Sequence, residues 1–367
     1  MVATGAAKRF HVPGPLYREP EFVSVRHRGA EGYAGGLKYY KRRHASENLM
    51  TSSPPGVLSL SGPRPESVAN GYRDSTRISI VTPSYNQGKY IERTIQSVLS
   101  QEVRGLEYTV IDGGSADETI LIQKRYEDRL LWISERDSGP SDAINKGFLR
   151  SKGPVLGWLN SDDIYYPGAL KTVLEFFEQN PDVDVLYGDT YHINENDEVI
   201  ERYPTEDWNW TRLHEACFIS QPAAFFRRRV FDEYGPLDVD VRCMDYEYWL
   251  RLGKNGVRFA HLPRILAATR LHKEAFTIAG RVAGHKEING FTRKHLSRTP
   301  DKWLFNYAHA IAEAKGYNRS RPFSFIATLI VYSIYAAFHW NKSVTPNMAR
   351  ILSEWIKERV VPGPRRA

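Results

Sequence analysis

Short apolar runs and stretches with helical periodicity follow one another along the middle of the chain, beginning abruptly at Ile78. Ile78, Ile80 and Val81 lie in one apolar run, which is typical of a buried strand. The next stretch places apolar side chains three and four residues apart, which predicts an amphipathic helix with one buried face. The residues of that face are Ile91, Ile95, Val98 and Leu99.

The alternation of strand and helix patterns continues for more than a hundred residues. Strands alternating with helices of about 10–15 residues indicate an α/β domain with a sheet rich in parallel strands. Beyond residue 200 the strand and helix patterns come in a less regular order, and we expect them to share the same sheet. Strands are predicted within 106–112, 130–140, 154–163 and 183–193, and helices within 141–153 and 168–181.

Composition divides the chain into three parts. Residues 1–75 carry scattered Pro, Gly, Arg and Ser without a sustained apolar period, so we expect a partly disordered or peripheral extension. Residues 76–275 form the predicted α/β domain, and residues 276–367 form a predicted C-terminal helical region.

One apolar segment of the C-terminal region, residues 323–340, contains no charged residue. Its length is near the lower limit of about 17–25 residues for a membrane-spanning helix. Arg319 and Arg321 precede it, so a helix lying on an anionic membrane is one interpretation. A helix packed on the main domain is the second interpretation, and a transmembrane span is the third. The basic residues that follow are Lys342, Arg350, Lys357 and Arg359.

Composition limits the function classes. The 367 residues are 41% hydrophobic, which predicts a packed core, and they carry a formal net charge of +7. That charge suits an anionic partner such as a nucleotide or an acidic membrane surface, whereas the lack of a long Lys and Arg run argues against nucleic acid. Cys217 and Cys243 offer neither zinc-site spacing nor a disulfide framework, and the N-terminus lacks a signal-peptide pattern. We therefore expect a cytoplasmic protein.

Polar clusters stand where several of the predicted strands end. They are "TPSYN" at 82–86, Asp112, and "NSDD" at 160–163. Since ligands of open α/β sheets bind outside the carboxyl ends of the strands, these clusters predict a ligand site at that edge. Asp112 can accept hydrogen bonds from a base or sugar, with glycines beside it for close approach, or it can belong to an ordinary Asp-Gly-Gly-Ser turn.

Four further residues are candidates for chemistry, each with a structural alternative. Asp162 and Asp163 can hold Mg²⁺ or Mn²⁺, or they can cap the following helix. Asp245 lies among aromatic residues, where a partly desolvated carboxylate can act as a general base or cap a helix. His272 follows an apolar run and is either structural or, with its basic neighbours, part of a phosphate site.

The order and spacing of six blocks resemble the family-2 glycosyltransferases of the GT-A fold. Each block alone is a weak signal, but together they run from Ile78 to His272, roughly half the chain. The resemblance implies a Rossmann-like central mixed sheet flanked by helices, followed here by a C-terminal helical extension. The blocks are "ISIVTPSYNQGKYIERTIQSVLSQ", "VIDGGSADET", "DSGPSDAINKG", "GWLNSDD", "QPAAFFRR" and "DYEYWLRL".

The resemblance implies which residues bind the donor nucleotide. Pro83, Tyr85 and Asp112 match positions that line the nucleoside pocket, and Asp112 suits a uracil N–H, which favours UDP over GDP or dTDP. Asp162 matches a position near the ribose or the donor sugar. The block that flanks nucleotide and sugar is matched by Asp142, Asn145 and Lys146.

The resemblance also implies a reaction centre. Asp163 matches a ligand of the divalent cation, Mn²⁺ or Mg²⁺, and His272 matches a residue that completes the metal or diphosphate site. Asp245 matches the catalytic base. Two positions depart from the pattern: Asn160 replaces an acid found in many members, which implies weaker metal affinity, and Met244 stands where many members carry an acid before the base.

The implied activity is inverting transfer of a sugar from a nucleotide-sugar donor to a hydroxyl of a glycan or lipid-linked acceptor. A role in cell-surface polysaccharide synthesis at the cytoplasmic face of a membrane fits the basic, apolar C-terminus. Two alternatives stay open. One is a metal-dependent nucleotidyltransferase. Such enzymes often carry a Gly-rich phosphate-binding loop, and the stretch "TPSYNQGKY" is a poor match to that loop. The other is a non-catalytic sugar-nucleotide binding module, in which loss of Asp163 or Asp245 would be expected.

Overall fold

The computed structural model describes residues 76–272, 280–317 and 322–360. The extension predicted for residues 1–75 lies outside the described residues. The strands are β1 (Ile78–Ser84), β2 (Leu106–Asp112), β3 (Leu131–Ser134), β4 (Val155–Trp158), β5 (Ile164–Tyr165), β6 (Val185–Ile193), β7 (Val199–Arg202), β8 (Ala224–Arg227) and β9 (Phe259–Arg270).

Helices connect most of these strands and continue beyond the last one. A short 3₁₀ turn (Gln221–Ala223) precedes β8, and a π-helical turn (Ala337–Asn341) follows the tenth helix. The α-helices are α1 (Ile91–Leu99), α2 (Thr119–Lys124), α3 (Pro140–Arg150), α4 (Ala169–Gln179), α5 (Trp210–Leu213), α6 (Arg228–Tyr234), α7 (Met244–Lys254), α8 (Arg281–Leu296), α9 (Asp301–Ala314), α10 (Pro322–Ala336) and α11 (Pro346–Val360).

All nine strands of the described residues form one mixed sheet in the order β3-β2-β1-β4-β8-β6-β9-β5, with β7 paired to β6. β1 is parallel to β2 and to β4, and β6 is parallel to β9. β8 runs antiparallel between β4 and β6. Strands β1, β2, β4, β6 and β9 therefore point the same way, and their carboxyl ends share one edge of the sheet.

The two faces of the sheet bury separate hydrophobic cores. Alternate residues of β1 divide between them, since Ile78 and Ile80 face α1 and α4 whereas Val81 faces α3. Helix α3 lies so close to β1 that any side chain larger than hydrogen at Gly147 would collide with Val81. On the same face the indole rings of Trp158 and Trp249 stack with centroids 5.7 Å apart, which fixes α7 against β4.

The C-terminal helices are attached to the domain through the hydrophobic core that contains Trp158 and Trp249. Ile288 and Phe291 of α8 and Trp303 of α9 belong to the same buried cluster as Trp249. The indole N–H of Trp303 donates to the backbone oxygen of His214 at 2.8 Å. The α/β elements and the helices that follow β9 therefore share one hydrophobic core, and residue 275, the predicted boundary, lies outside the described residues.

The predicted fold class, a mixed sheet flanked by helices with a helical extension at the C-terminus, is confirmed. One predicted helix is shorter than expected, since α3 ends at Arg150 and not at Gly153. The reason is a hydrogen bond, because the backbone N–H of Gly153 donates to Ser79 Oγ at 2.8 Å and leads the chain straight into β4.

Candidate active site

The residues that follow β4 and β9 meet at the carboxyl edge of the sheet. Asp162 lies in the turn after β4, and His272 follows the end of β9. His272 Nε2 lies 2.9 Å from Asp162 Oδ2, and the Asp162 side chain is 20% exposed. The ring of His272 packs on that of Tyr90, with centroids 4.9 Å apart. The edge therefore presents one carboxylate and one imidazole side by side, beside an aromatic ring.

Asp163 has a different environment from its neighbour. Its side chain is buried, with the residue 2% exposed. Oδ1 accepts the backbone N–H of Arg270 at 3.0 Å, and Oδ2 accepts Asn160 Nδ2 at 3.3 Å. Burial first, and then the negative charge of Asp162, raise the pKa of Asp163 well above its ordinary value. These contacts fit a structural carboxyl group better than the metal ligand expected from the sequence.

The buried guanidinium of Arg270 holds this corner together. Its Nε donates to the backbone oxygen of Asp162 at 2.8 Å, and Nη1 donates to the backbone oxygen of Asn194 at 2.9 Å. It also forms an ion pair with Asp197 and lies over the ring of Tyr90, 5.2 Å from the centroid. Arg270 thus ties the Asp162 turn to the β6–β7 turn and to the start of α1.

Asn160, the departure from the family pattern, has a structural explanation. Its Nδ2 donates to Gln221 Oε1 at 2.9 Å, and Gln221 Nε2 donates to the backbone oxygen of Trp158 at 2.8 Å. A carboxylate at residue 160 could not donate to Gln221 or to Asp163. The amide therefore completes a chain of hydrogen bonds under the Asp162 turn. Gln221 escaped the sequence analysis, although it opens the quoted block "QPAAFFRR".

The three candidates for the nucleoside pocket lie at the same edge of the sheet, but their side chains differ in exposure. Asp112 is fully buried, and its carboxylate accepts the backbone N–H groups of Gly114 at 3.0 Å and Ser115 at 2.9 Å and the hydroxyl of Ser134 at 2.7 Å. It therefore fixes the turn after β2, and both oxygens already have protein donors. That occupancy removes the physical argument for a uracil contact.

The other two pocket candidates stand at and after the end of β1. Pro83 is buried in the strand, where it shapes the backbone. Tyr85, just beyond the strand, is 62% exposed. An exposed aromatic ring at the ligand edge of a sheet is suited to stacking on a nucleobase. Of the three sequence-based candidates for this pocket, Tyr85 is therefore the one whose side chain is available.

Helix α3 carries the three residues expected to flank nucleotide and sugar. Lys146 forms ion pairs with Asp142 at 3.3 Å and with Glu135 at 3.1 Å. Two of the three candidates, Lys146 and Asp142, are therefore paired with each other. Asn145 is buried and grips the backbone of Leu237, donating to its oxygen and accepting its N–H, each at 2.9 Å. Asn145 therefore positions the segment that leads into α7, and its amide is not available to a nucleotide.

Asp245 lies in the first turn of α7 and is partly exposed. Burial raises the pKa of its carboxyl group, and the backbone N–H groups at the helix start oppose that rise. The N-termini of α3 and α7 touch, since the hydroxyl of Ser141 lies 2.8 Å from the sulfur of Met244. Asp245 is therefore a carboxylate at a helix start, adjacent to the helix that carries Asp142 and Lys146.

The wall around Asp245 contains residues that the sequence analysis missed as part of the site. Burial raises the pKa of Cys217, Cys243 and Tyr203, and the charge of Asp245 raises each of them further. The hydroxyl of Tyr203 donates to the backbone oxygen of Cys217 at 2.7 Å. No local sequence pattern predicts that the two cysteines lie near Asp245, because the segments of Tyr203, Cys217 and Cys243 meet only in the fold.

Comparison with known families decides the assignment. Residues 79–235 match the family described as "Glycosyl transferase family 2". This domain belongs to glycosyltransferase family 2. The matched range covers the Asp162–Asp163 turn, Gln221 and the start of the loop held by Asn145, while Asp245 and His272 lie beyond it. The chain therefore contains a glycosyltransferase domain, as its sequence predicts.

Relatives with assigned names share its glycosyltransferase domain. An uncharacterised glycosyltransferase of Methanocaldococcus jannaschii is 23% identical over 211 residues, which cover 55% of this chain and 73% of that protein. An uncharacterised glycosyltransferase of Rickettsia prowazekii is 26% identical, with 54% of this chain and 65% of that protein covered. Chondroitin synthase of Escherichia coli is 27% identical, with 55% and 30% covered. The chain thus spans less than two thirds of the last two relatives.

Solved structures with the same fold include TarS of Staphylococcus aureus. A structure of TarS residues 1–349 in complex with UDP-GlcNAc has a TM-score of 0.54 and 16% identity, covering 77% of this chain and 88% of that one. Another TarS structure has a TM-score of 0.52 and 17% identity, covering 78% of this chain and 53% of that one. At such identities the likeness concerns the fold, and the predicted GT-A arrangement of the glycosyltransferase is confirmed.

Proposed function

We propose that this glycosyltransferase transfers a sugar from a nucleotide-sugar donor to an acceptor hydroxyl, with inversion at the anomeric carbon. The observation that carries the proposal is the contact between Asp162 and His272 at the ligand edge of a family-2 domain. Asp245, at the start of α7, supplies a separate carboxylate. The retained Asp245 argues against a non-catalytic binding module, and the family assignment argues against a nucleotidyltransferase.

The donor is proposed to be a UDP-sugar. Support comes from TarS, which shares the fold and whose structure holds UDP-GlcNAc. Tyr85 is proposed to stack on the base, since it is exposed at the edge where strands β1 and β2 end. Lys146 and Asp142 are proposed to face the donor from α3. Asp112 and Asn145 are proposed to act on the donor indirectly, by fixing the turns that surround it.

Asp162 and His272 are the residues proposed to hold a divalent cation, Mn²⁺ or Mg²⁺. A carboxylate oxygen and an imidazole nitrogen, 2.9 Å apart, can both coordinate a divalent cation, and the imidazole suits Mn²⁺ better than Mg²⁺, which prefers oxygen ligands. Such cations usually keep several oxygen ligands from substrate phosphates. Ligands from the substrate are needed here, because the described residues contain no cluster of three His, Cys, Asp or Glu side chains that could hold a metal ion. When bound, the cation would offset negative charge on the departing diphosphate.

This assignment exchanges the roles expected within the aspartate pair. Asp162 is the more exposed carboxylate and touches His272, whereas Asp163 is buried under it and tied to Arg270 and Asn160. We therefore assign cation binding to Asp162 and support of the turn to Asp163. The ion pair and carbonyl bonds of Arg270 keep Asp162 in place before any ligand arrives.

Asp245 is proposed to act as the general base. Its ionised carboxylate takes the proton of the acceptor hydroxyl while that oxygen forms a bond to the anomeric carbon. The bond from the anomeric carbon to the diphosphate oxygen breaks on the opposite face, and its electron pair leaves with the nucleoside diphosphate. A single displacement needs one carboxylate base and inverts the anomeric configuration, in contrast to the two carboxyl groups of most glycoside hydrolases.

The acceptor is proposed to be a hydroxyl of a glycan or of a lipid-linked sugar, in cell-surface polysaccharide synthesis. The polysaccharide role draws support from the Escherichia coli relative named chondroitin synthase. Peripheral contact with the cytoplasmic face of a membrane is part of the same proposal.

The proposal is tested by incubating the protein with a panel of UDP-, GDP- and dTDP-sugars and Mn²⁺. We expect one UDP-sugar to raise the melting temperature and to be slowly hydrolysed, releasing UDP. EDTA should abolish both effects. Indifference to every nucleotide sugar, in the presence of Mn²⁺ and of Mg²⁺, would overturn the proposed donor chemistry.

A further inference from the structure

One face of α10 and of the π-helical turn after it is apolar and exposed. Phe323, Val331 and Phe338 are 80%, 60% and 54% exposed, and Ile334 and Tyr335 are exposed between them. Their spacing places all five on one side of the helix. We call this surface the α10 stripe. An exposed patch of contiguous large apolar side chains is uncommon on a soluble protein and marks an interaction surface.

The opposite face of α10 is committed to the protein. Leu329 packs with Ala308 and Ala312 of α9, and Ala336 packs with Leu304 of α9 and with α11. The segment Phe323–Asn341 is long and apolar enough to cross a membrane by length and composition. Spanning would require α10 to leave both neighbours and expose their apolar surfaces to water. The packing therefore favours a helix that keeps its inner face on the protein and offers its outer face to a partner.

Basic side chains accompany the α10 stripe. Exposed Lys342 follows its last residue and donates to the backbone oxygen of His339 at 3.2 Å. Exposed Lys315 lies over the ring of Tyr332 on α10, 5.8 Å from the centroid. Neither lysine has an ion-pair partner within the described residues. Two positive charges thus border an apolar surface that has no charge of its own.

Two acidic side chains of the neighbouring helices are paired with arginines, whereas Asp301 at the start of α9 is bonded to the hydroxyl of Thr345. Glu313 of α9 forms an ion pair with Arg281, and Glu354 of α11 forms one with Arg350 at 2.7 Å. An apolar face that carries Phe and Tyr side chains and is bordered by lysines suits the boundary between head groups and acyl chains of an anionic bilayer.

We propose that the α10 stripe docks the enzyme on an anionic membrane surface, with α10 lying in the plane of the membrane. The stripe residues enter the interfacial region, and Lys342 and Lys315 meet the anionic head groups. This proposal goes beyond the transfer reaction, because the stripe contains none of the residues assigned to donor, cation or base. Docking would hold the active site near acceptors that are anchored in lipid.

The test is flotation of the full chain with phosphatidylcholine vesicles, prepared with and without phosphatidylglycerol. We expect the protein to float with the anionic vesicles, and Val331→Glu combined with Phe338→Glu to reduce the floated fraction about tenfold. Val331→Ser with Phe338→Ser serves as an uncharged version of the same change. Lys342→Glu should weaken binding to anionic vesicles and leave any binding to neutral ones unchanged.

Leu121→Glu is the matched control, because Leu121 is an exposed apolar residue of α2, outside the stripe. This variant should float like the wild type. Melting temperature and donor hydrolysis in solution should be the same for all variants, which separates docking from folding and from the proposed chemistry. Equal flotation of the stripe variants and the wild type would overturn the proposal, as would a stripe-dependent dimer in light scattering that does not bind vesicles.

Discussion

His272 Nε2 and Asp162 Oδ2 lie 2.9 Å apart, although 110 residues separate them in sequence. The contact joins the end of β9 to the turn after β4, at the edge where the parallel strands of the sheet end. It places an imidazole against the more exposed of two neighbouring aspartates. The difference in exposure and contacts between Asp162 and Asp163 therefore comes from the fold, since the two residues are chemically identical in the sequence.

That difference predicts unequal effects of the same substitution. Asp162→Asn should weaken Mn²⁺-dependent binding of UDP at least about tenfold, because the amide is a poorer cation ligand than a carboxylate. Asp163→Asn should leave that binding nearly unchanged, because an amide oxygen can still accept the N–H of Arg270. Calorimetric titration with UDP, with Mn²⁺ and with EDTA, measures both. The reverse ranking of the two variants would restore the metal to Asp163.

Arg270 is predicted to be essential for the stability of the site. Its buried guanidinium bonds two backbone oxygens and pairs with Asp197, so Arg270→Leu leaves the backbone oxygen of Asp162 without a donor and removes one of two partners from the backbone oxygen of Asn194 and from Asp197. We expect a loss of about 3 kcal/mol in the free energy of unfolding, together with loss of Mn²⁺-dependent UDP binding. Urea denaturation gives the first quantity. Arg264→Leu, an exposed position on the same strand, is the control and should change neither.

Glu247 is predicted to make the attachment of α8 to α7 sensitive to acid. Burial alone would raise the pKa of Glu247, but contacts with His295 at 2.7 Å and Arg251 at 3.2 Å outweigh burial and lower it. A lowered pKa in the folded state gives stability that is present above the ordinary glutamate value of 4.5 and lost as pH falls through the folded value.

Glu247→Gln should therefore destabilise the protein by about 3 kcal/mol at neutral pH and by progressively less below about pH 4. Thermal unfolding of wild type and variant across pH 3 to 7 measures the difference, with the exposed Glu233→Gln as control. A pH-independent difference between wild type and Glu247→Gln would show that the charge of Glu247 is not what stabilises this contact.

The ionised form of Asp245, which is the form proposed to act as a base, is predicted to lower the stability of the folded protein. Its pKa is raised in the folded protein because of burial, so its contribution to stability is fully present below the unfolded pKa and is lost as pH rises through the folded pKa. Asp245→Asn should accordingly have a higher melting temperature than wild type at neutral pH, with the gap closing near pH 4. Transfer by the wild type should fall as the medium is acidified through the raised pKa of Asp245.

Much of the sheet could be predicted from the sequence, because its strands are apolar runs that end in recognisable polar clusters. Ile78 to Ser84 and Leu106 to Asp112 are examples. The position of α8 and α9 against α7 was not predictable, since it depends on Trp303 reaching His214 and Tyr246 across the fold. Local patterns describe each element well, and contacts between distant segments are what they leave out.

The candidate site shows the same limit residue by residue. The clusters around Asp162 and Asp245 could be recognised from their types and order. The sequence could not show that the side chains of Asp112 and Asn145 form hydrogen bonds with backbone groups. It also could not show that Asp163 is buried beneath Asp162. Gln221 and Tyr203 were missed because a lone glutamine or tyrosine carries no local signal, and their roles arise from partners far away in the chain.

The most direct test of the account compares Asp245→Asn with Asp240→Asn, an exposed aspartate in the loop before α7. With the UDP-sugar found in the donor screen, both variants should bind UDP in the presence of Mn²⁺ as the wild type does. Asp240→Asn should retain transfer to an acceptor hydroxyl, while Asp245→Asn should lose it by at least about a hundredfold. Near-normal transfer by Asp245→Asn would contradict the assignment of Asp245 as the base and with it the proposed displacement.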